Sequence, residues 1–349
     1  MIRQRTKYAA SALALPLLVA FGARGEKLAF APADGSTLDR ELSMEVSLYV
    51  EDLSMIVDGQ DMGGMMMGEL DEALTMSAVI KVTDEFVKTA GGKHVELLRT
   101  YNELSAEGGT ESDREAADGF DALEDSTIQF KWDEEEGVYK KSYHESEGDE
   151  DLLENLEVDM DFTALLPDGE VSEGDTWEMD GSEALSLFAP GGFPQGGGEQ
   201  DDEVMELVSQ ELESQFDEAF EDFTIECTYK GLREDGDASF GEIAFEFEGE
   251  GAIDLSELLM SMIDLQAEGA EVEIDADITA GLDLSFKGTG TLLWDPATGH
   301  LHSYEMSCEM TLLADVDASI DVMGQSQQFE ASAELSGTGA WTMTTGSGE

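Results

Sequence analysis

Along roughly the last eighty residues, apolar and polar positions alternate with a period of two. Val272, Ile274, Ala276, Ile278, Ala280, Leu282, Leu284 and Phe286 fall on one face, and Glu271, Glu273, Asp275, Asp277, Asp283 and Lys287 on the other. The same parity runs from His302 through Tyr304, Met306, Cys308, Met310 and Leu312 to Val322, and a third run carries Phe329, Ala331, Ala333, Leu335, Trp341 and Met343. This is the signature of half-buried strands. A fifteen-residue strand spans about 50 Å, against a usual length of about 5 or 6 residues. Strands this long with one apolar face predict a large curved antiparallel sheet, with the turn from Trp294 to Gly299 closing a hairpin.

The first half repeats the pattern in shorter pieces. Leu42, Met44, Val46, Leu48 and Val50 alternate with polar partners; 76–87 and 93–104 predict a strand pair around Thr89-Ala90-Gly91-Gly92. TIQFKW and GVYKKSYHE predict a hairpin across the acidic turn from Asp133 to Gly137. Helical spacing appears at Val204, Leu207, Val208, Leu212, Phe216 and Phe220, and again over 254–269, where Asp254 and Glu257 stand at capping-box distance. A shorter amphipathic helix is expected over 149–162. A one-sided sheet must be covered. The expected fold is therefore mainly β (α+β): a large curved sheet or half-barrel of long strands, covered on its apolar face by two or three helices.

Charge and the N-terminus set the compartment. Residues 1–25 read as a signal peptide, a basic leader followed by an apolar run broken by Pro16 and then small residues. A membrane anchor needs about 18 or more apolar residues in succession, so no transmembrane helix is expected in the mature chain. The protein is expected in the periplasm or outside the cell. Behind the leader come a β-rich half over 26–188, a Gly/Pro-rich linker or loop over 189–202, and a helix plus long-strand half over 203–349. One continuous domain joining the two halves is equally compatible with the pattern. The 81 acids face 17 Lys and Arg, a formal charge of −64. Such a chain repels nucleic acid and anionic headgroups, and attracts divalent cations weakly and basic partners.

Candidate chemistry is sparse. Cys227 and Cys308 both lie at apolar-face parity, and an exported chain permits a disulfide between them; two buried thiols are the alternative. Met62, Met65, Met66 and Met67 offer thioethers to Cu(I), or pack as a flexible apolar loop. Asp235, Asp237, Ser239 and Glu246 echo a calcium loop, but Phe240 stands where glycine is needed, and a hairpin turn is the simpler reading. His300 and His302 share a face beside a turn. Neither a nucleophile elbow, a phosphate loop nor a two-cysteine hook is present. Neither an enzyme, a cofactor nor a dedicated metal site is expected.

The segments LLPDGEVSEGDTWEM and GTGTLLWDPATGHLHSYEMS resemble a broad group of uncharacterised exported bacterial proteins. The matching residues are Pro167, Gly169, Val171, Gly174, Asp175 and Trp177, then Gly288, Gly290, Trp294, Asp295 and Gly299. More distantly, the expected architecture is similar to the curved half-barrel with a helical lid of periplasmic lipoprotein carriers. That resemblance implies an acyl chain held on the apolar face.

Two functions follow as expectations. In the first, an apolar lipid or acyl ligand sits between sheet and helices, against Phe216, Phe220, Leu259, Met262, Ile274, Ile278, Leu282, Tyr304 and Met306. In the second, the apolar face is a filled core, and the protein is a structural or interaction protein with an acidic, cation-attracting surface. An outer-membrane barrel also alternates in this way, but amphipathic helices and packed acids on the polar face count against it.

Overall fold

The computed structural model describes residues 25–63, 72–117, 119–179, 181–192, 215, 223–236, 238–270, 274–322 and 325–347. The strands are β1 (Glu26–Lys27), β2 (Ser36–Val57), β3 (Gln60–Asp61), β4 (Leu74–Ala90), β5 (Lys93–Thr110), β6 (Arg114–Ala116), β7 (Thr127–Asp133) and β8 (Val138–Tyr143). They continue with β9 (Glu170–Val171), β10 (Thr176–Met179), β11 (Thr224–Asp235), β12 (Ala238–Asp254), β13 (Ile274–Asp295), β14 (His300–Val322) and β15 (Gln325–Ser347). One helix, α1 (Ser256–Ala270), exceeds a single turn among the described residues. The fold is mainly β, as the alternation requires.

Thirteen strands form one antiparallel sheet in the order β10-β11-β12-β13-β14-β15-β2-β4-β5-β7-β8, with β3 on β2 and β6 on β5. The sheet is not closed. β14 and β15, at 23 residues each, run about 75 Å at the usual rise. β15 pairs with β2 from Phe329↔Val57 to Ser347↔Leu38, so the two halves expected from sequence share one sheet. Three of the expected hairpins are present, at Gly91-Gly92, at 133–138 and at 295–300. At the last, Asp295 Oδ1 accepts from the amide of Ala297 at 2.8 Å, and Gly299 adopts φ +74°. A Cβ at Gly299 would stand 2.8 Å from the backbone of Ala31, which explains that glycine. The calcium-like loop is the β11–β12 hairpin, turning at Gly236.

The glycines of the GTG segment also have a packing cause. Gly288 and Gly290 sit at apolar parity, where a Cβ would come within 2.3 Å of the Phe247 ring and 2.1 Å of the Phe245 ring. The aromatic rings of β12 fill the space those glycines leave.

The cover of the apolar face differs from expectation. The helix expected over 202–222, with Phe216 and Phe220, lies outside the described residues except Gln215, as does the signal peptide apart from Gly25. Residues 149–162 do not form an amphipathic helix. They make one 3-10 turn, Asp151–Leu153, and then an irregular path through a second turn, Thr163–Leu165, to the short helical turn Leu185–Phe188. This path buries Leu153, Leu156, Met160, Phe162, Leu165 and Leu187 against the sheet in one core, joined by Leu28 and Phe30. Phe162 stacks on Tyr304 at 3.8 Å, and Trp177 and Trp341 donate to the carbonyls of Leu165 and Phe188 at 3.2 and 3.0 Å. α1 instead covers a small second cluster, Ile278, Ala280 and Ala318, near the far ends of β13 and β14. Asp254 caps it, accepting from the Ser256 amide at 2.9 Å.

What holds the irregular path in place is a buried ionic chain. Arg40 on β2, Asp84 on β4 and Arg99 on β5 all occupy apolar-face positions, at 2%, 0% and 0% exposure. Arg40 Nε and Arg99 Nε donate to the two oxygens of Asp84 at 2.8 Å each, and Arg40 Nη2 donates to Asp161 at 2.7 Å. Three further guanidinium hydrogens reach the carbonyls of Met160, Glu157 and Val158 at 2.9 Å. Asp161 also accepts from the Leu301 amide at 2.9 Å, which ties in β14. Burial alone would raise the Asp84 pKa, but the guanidiniums of Arg99 and Arg40 outweigh it and hold the carboxyl below its ordinary value. A chain with so few bases keeps two of them where no solvent reaches.

Candidate binding groove

The strand alternation that buries one face leaves the other lined with acids, and among the described residues several hollows open on that acidic face. A hollow of about 1050 Å³ is lined by β12, β13, β14, β15 and β2, with Glu250, Asp254, Asp283, Asp315, Asp317 and Glu330 on its walls. A second, of about 800 Å³, is bounded by Glu45, Glu226, Glu246, Glu248 and Glu309, together with Lys287. Two smaller hollows share Glu250, Asp283, Glu248 and Glu309 with them and make the groove continuous. Its walls therefore carry eleven carboxylates against one ammonium.

Strand register explains the density. Glu226 stands directly opposite Glu246, and Glu334 opposite Asp52, whereas Lys287 is placed between Glu248 and Glu309. Lys287 Nζ reaches Glu248 at 2.9 Å, an exposed pair that contributes little by itself. Between the acids the floor mixes small polar residues, Thr289, Ser307 and Thr338, with apolar ones, among them Ile56, Val316 and Ala340. Among the described residues the groove acids do not converge in threes around a point. The groove presents a field to a cationic ligand rather than a coordination sphere.

The residues expected to hold an apolar ligand separate. Tyr304 and Met306 lie in the main core, fully packed; the Tyr304 hydroxyl donates to the Leu187 carbonyl at 3.1 Å. Leu259 and Ile278 belong to the small cluster under α1. Met262 and Leu282 are half-buried, Ile274 begins β13, and Phe216 and Phe220 lie outside the described residues. Among the described residues, none of these lines the hollows described above.

The disulfide expectation is corrected. Cys227 and Cys308 are free and buried. Two strands stand between β11 and β14, which puts the thiols about 14 Å apart along the sheet, beyond the roughly 7 Å limit for bridging. Burial, helped by Glu226, pushes the Cys227 thiol up to about 12, and burial pushes Cys308 up to about 11. Both behave as small hydrophobes. Of the histidines, His302 stacks on Phe240 at 3.8 Å and His300 Nδ1 lies 2.7 Å from the Leu301 carbonyl, so the pair is used in packing. Of the methionine cluster only Met62 is described. Sequence reasoning passed over the ionic chain, although a signal existed: Arg40, Asp84 and Arg99 each break an apolar run at core parity.

No family model matches the chain, and no curated protein matches it. Solved structures similar to it include an outer membrane channel from Pseudomonas putida F1, 9% identical over 89% of this chain and 97% of the other, at a TM-score of 0.16. The translocator domain of the autotransporter NalP from Neisseria meningitidis is 7% identical over 88% of each chain, at 0.17. A mutant porin of Rh. blastica is 9% identical over 89% of this chain and all of the other, at 0.15. Likenesses at such scores carry no argument about fold or function.

Proposed function

We propose that this is an exported, non-catalytic interaction protein that engages a cationic partner through the acidic groove. The observation that carries this reading is the division of the two faces. The apolar face around Tyr304 is filled by the chain's own segment 151–188, while the open hollows lie among carboxylates. The leader over residues 1–25 supplies the route out of the cytoplasm. Weak divalent cations compete for the same field, and the partner is a basic peptide or polyamine rather than nucleic acid.

The test is titration of the detergent-free mature chain with a fluorescent oligo-arginine peptide and, separately, with a fluorescent fatty acid. Peptide binding that weakens steeply with added salt, and weakens again in a Glu246→Gln/Glu309→Gln variant, is the expected result. Stoichiometric fatty-acid binding without peptide binding would overturn the reading in favour of the carrier.

A further inference from the structure

His94, at the start of β5, is 4% exposed, and neither ring nitrogen has a hydrogen-bond partner. Its faces are clamped by Phe30, with ring centroids 4.4 Å apart, and by Phe86, at 5.7 Å and nearly parallel. Tyr139 fixes the backbone beneath it, donating to the His94 carbonyl at 2.8 Å. Two buried imidazole nitrogens without a partner in the protein cost free energy that native cores avoid. The ring is aimed at a pair of carboxylates: a ligand atom of His94 and one from each of Asp159 and Asp161 all lie within 4.8 Å of one another.

Those carboxylates are held but not used up. Asp161 accepts from Arg40 and from the Leu301 amide. Asp159 accepts from the Asp161 amide at 2.7 Å, and from the Thr163 amide and hydroxyl at 2.9 and 2.6 Å. A carboxylate offers about four acceptor positions, so both retain a free lone pair. The charges do not close either. Arg40 and Arg99 balance Asp84 and Asp161, whereas Asp159 is bonded only to neutral donors. A carboxylate bonded only to neutral donors is left beside an unpaired imidazole. A neutral imidazole is the form that ligates a metal.

We propose that His94, Asp159 and Asp161 form a buried site for one divalent transition-metal ion of the zinc class. One imidazole and two carboxylates suit such an ion, and calcium or magnesium would take oxygen ligands alone. Tetrahedral ligands at about 2.1 Å lie about 3.4 Å apart, so binding draws the three atoms together by roughly an ångström. Arg40 and Thr163 orient the carboxylates from behind, and the partly exposed Asp159 gives the ion a way in. The ion ties residues 159–161 of the irregular path to the β4–β5 hairpin, beside the ionic chain.

The experiment is zinc titration of the full mature chain by calorimetry, with excess calcium present to occupy the surface acids, alongside long-range 1H–15N spectra of the four histidine rings. One zinc per chain is expected, with a shift confined to the His94 ring nitrogens. Affinity falls by more than about 100-fold in His94→Gln or Asp159→Asn, since losing an outer-shell partner alone costs about 10–100-fold. Zinc binding that is equal in wild type and variants, or ring shifts at His144, His300 or His302 instead, would overturn the proposal. A His94 ring that takes up a second proton and ignores zinc would overturn it too, leaving a proton in the ion's place. The wild-type spectra decide the matter even where a variant fails to fold.

Discussion

Asp84→Asn is the sharpest probe of how the apolar face is closed. The substitution keeps size and shape but removes the charge that neutralises both Arg40 and Arg99. Three guanidinium bonds converge on this carboxylate, at 2.8, 2.8 and 3.2 Å. The amide nitrogen satisfies none of the donors it faces, the amide oxygen keeps the rest, and the two buried cations are left with one anionic partner, Asp161. Breaking a buried ion pair from one side costs about 3–5 kcal/mol. Unfolding entropy of about 2.1 cal/mol/K per residue over 349 residues makes this roughly a 4–7 °C fall in Tm. The assay is a thermal melt followed by near-ultraviolet circular dichroism. The sign with pH is fixed: a carboxyl whose folded pKa is depressed stabilises above its unfolded value, about 3.9, and that contribution fades as pH falls through the lower folded value. The gap between wild type and Asp84→Asn is therefore full at pH 7 and narrows only below about pH 4. Glu103→Gln, which breaks the exposed pair with Lys81, serves as control and should move stability by less than about 0.5 kcal/mol. A variant at position 84 as stable as that control would refute the claim that the staple closes the fold.

Three further outcomes are expected. Gly288→Val drives a Cβ against both the Phe247 ring and the Ser307 carbonyl and lowers stability by about 1–3 kcal/mol in chemical denaturation, and Phe247→Ala in the same chain leaves the backbone clash and does not restore it. Native Cys227 and Cys308 resist a thiol reagent at pH 8, react fully in denaturant, and show no two-dalton deficit in the intact mass. Tyr304→Phe loses its bond to the Leu187 carbonyl and destabilises by about 1 kcal/mol, read in the same melts.

The strands and their hairpins were legible because period-two alternation is a local signal that tertiary context reinforces. Asp175 makes a turn ahead of β10, where its Oδ2 accepts from the Ser172 amide at 2.8 Å, and Trp177 lies on that strand. The cover was not legible. Residues 151–188 are rich in Leu, Met and Phe without a constant period, because a path that follows the sheet surface irregularly buries side chains at irregular intervals. Reading 149–162 as a helix took the apolar spacing of Leu152, Leu156 and Met160 for periodicity, when arginine-to-carbonyl bonds replace helix bonds there. His94 gave no signal at all; its meaning depends on Asp159 and Asp161, some 65 residues away in sequence.

The opposed acids of the groove allow stability and binding to be separated. Glu226 and Glu246 face each other across β11 and β12, with Lys287 one same-face position further along on β13, and directly opposed like charges destabilise a sheet by up to about 1 kcal/mol. A sheet selected for stability alone would alternate signs here, as it does at Glu248, Lys287 and Glu309. Glu246→Lys should therefore stabilise the protein by a few tenths to about 1 kcal/mol. The gain should be largest at about 0.01 M salt, where the Debye length is about 30 Å, and nearly vanish at 1 M, where it is about 3 Å. If the groove exists to hold a cation, the same variant must bind oligo-arginine more weakly while melting higher. Such opposite movements are hard to produce by misfolding, which lowers both. A variant that melts higher and binds unchanged would show that the acids at this pair only keep the surface solvated, and would move the binding question to the hollow around Asp283 and Asp315.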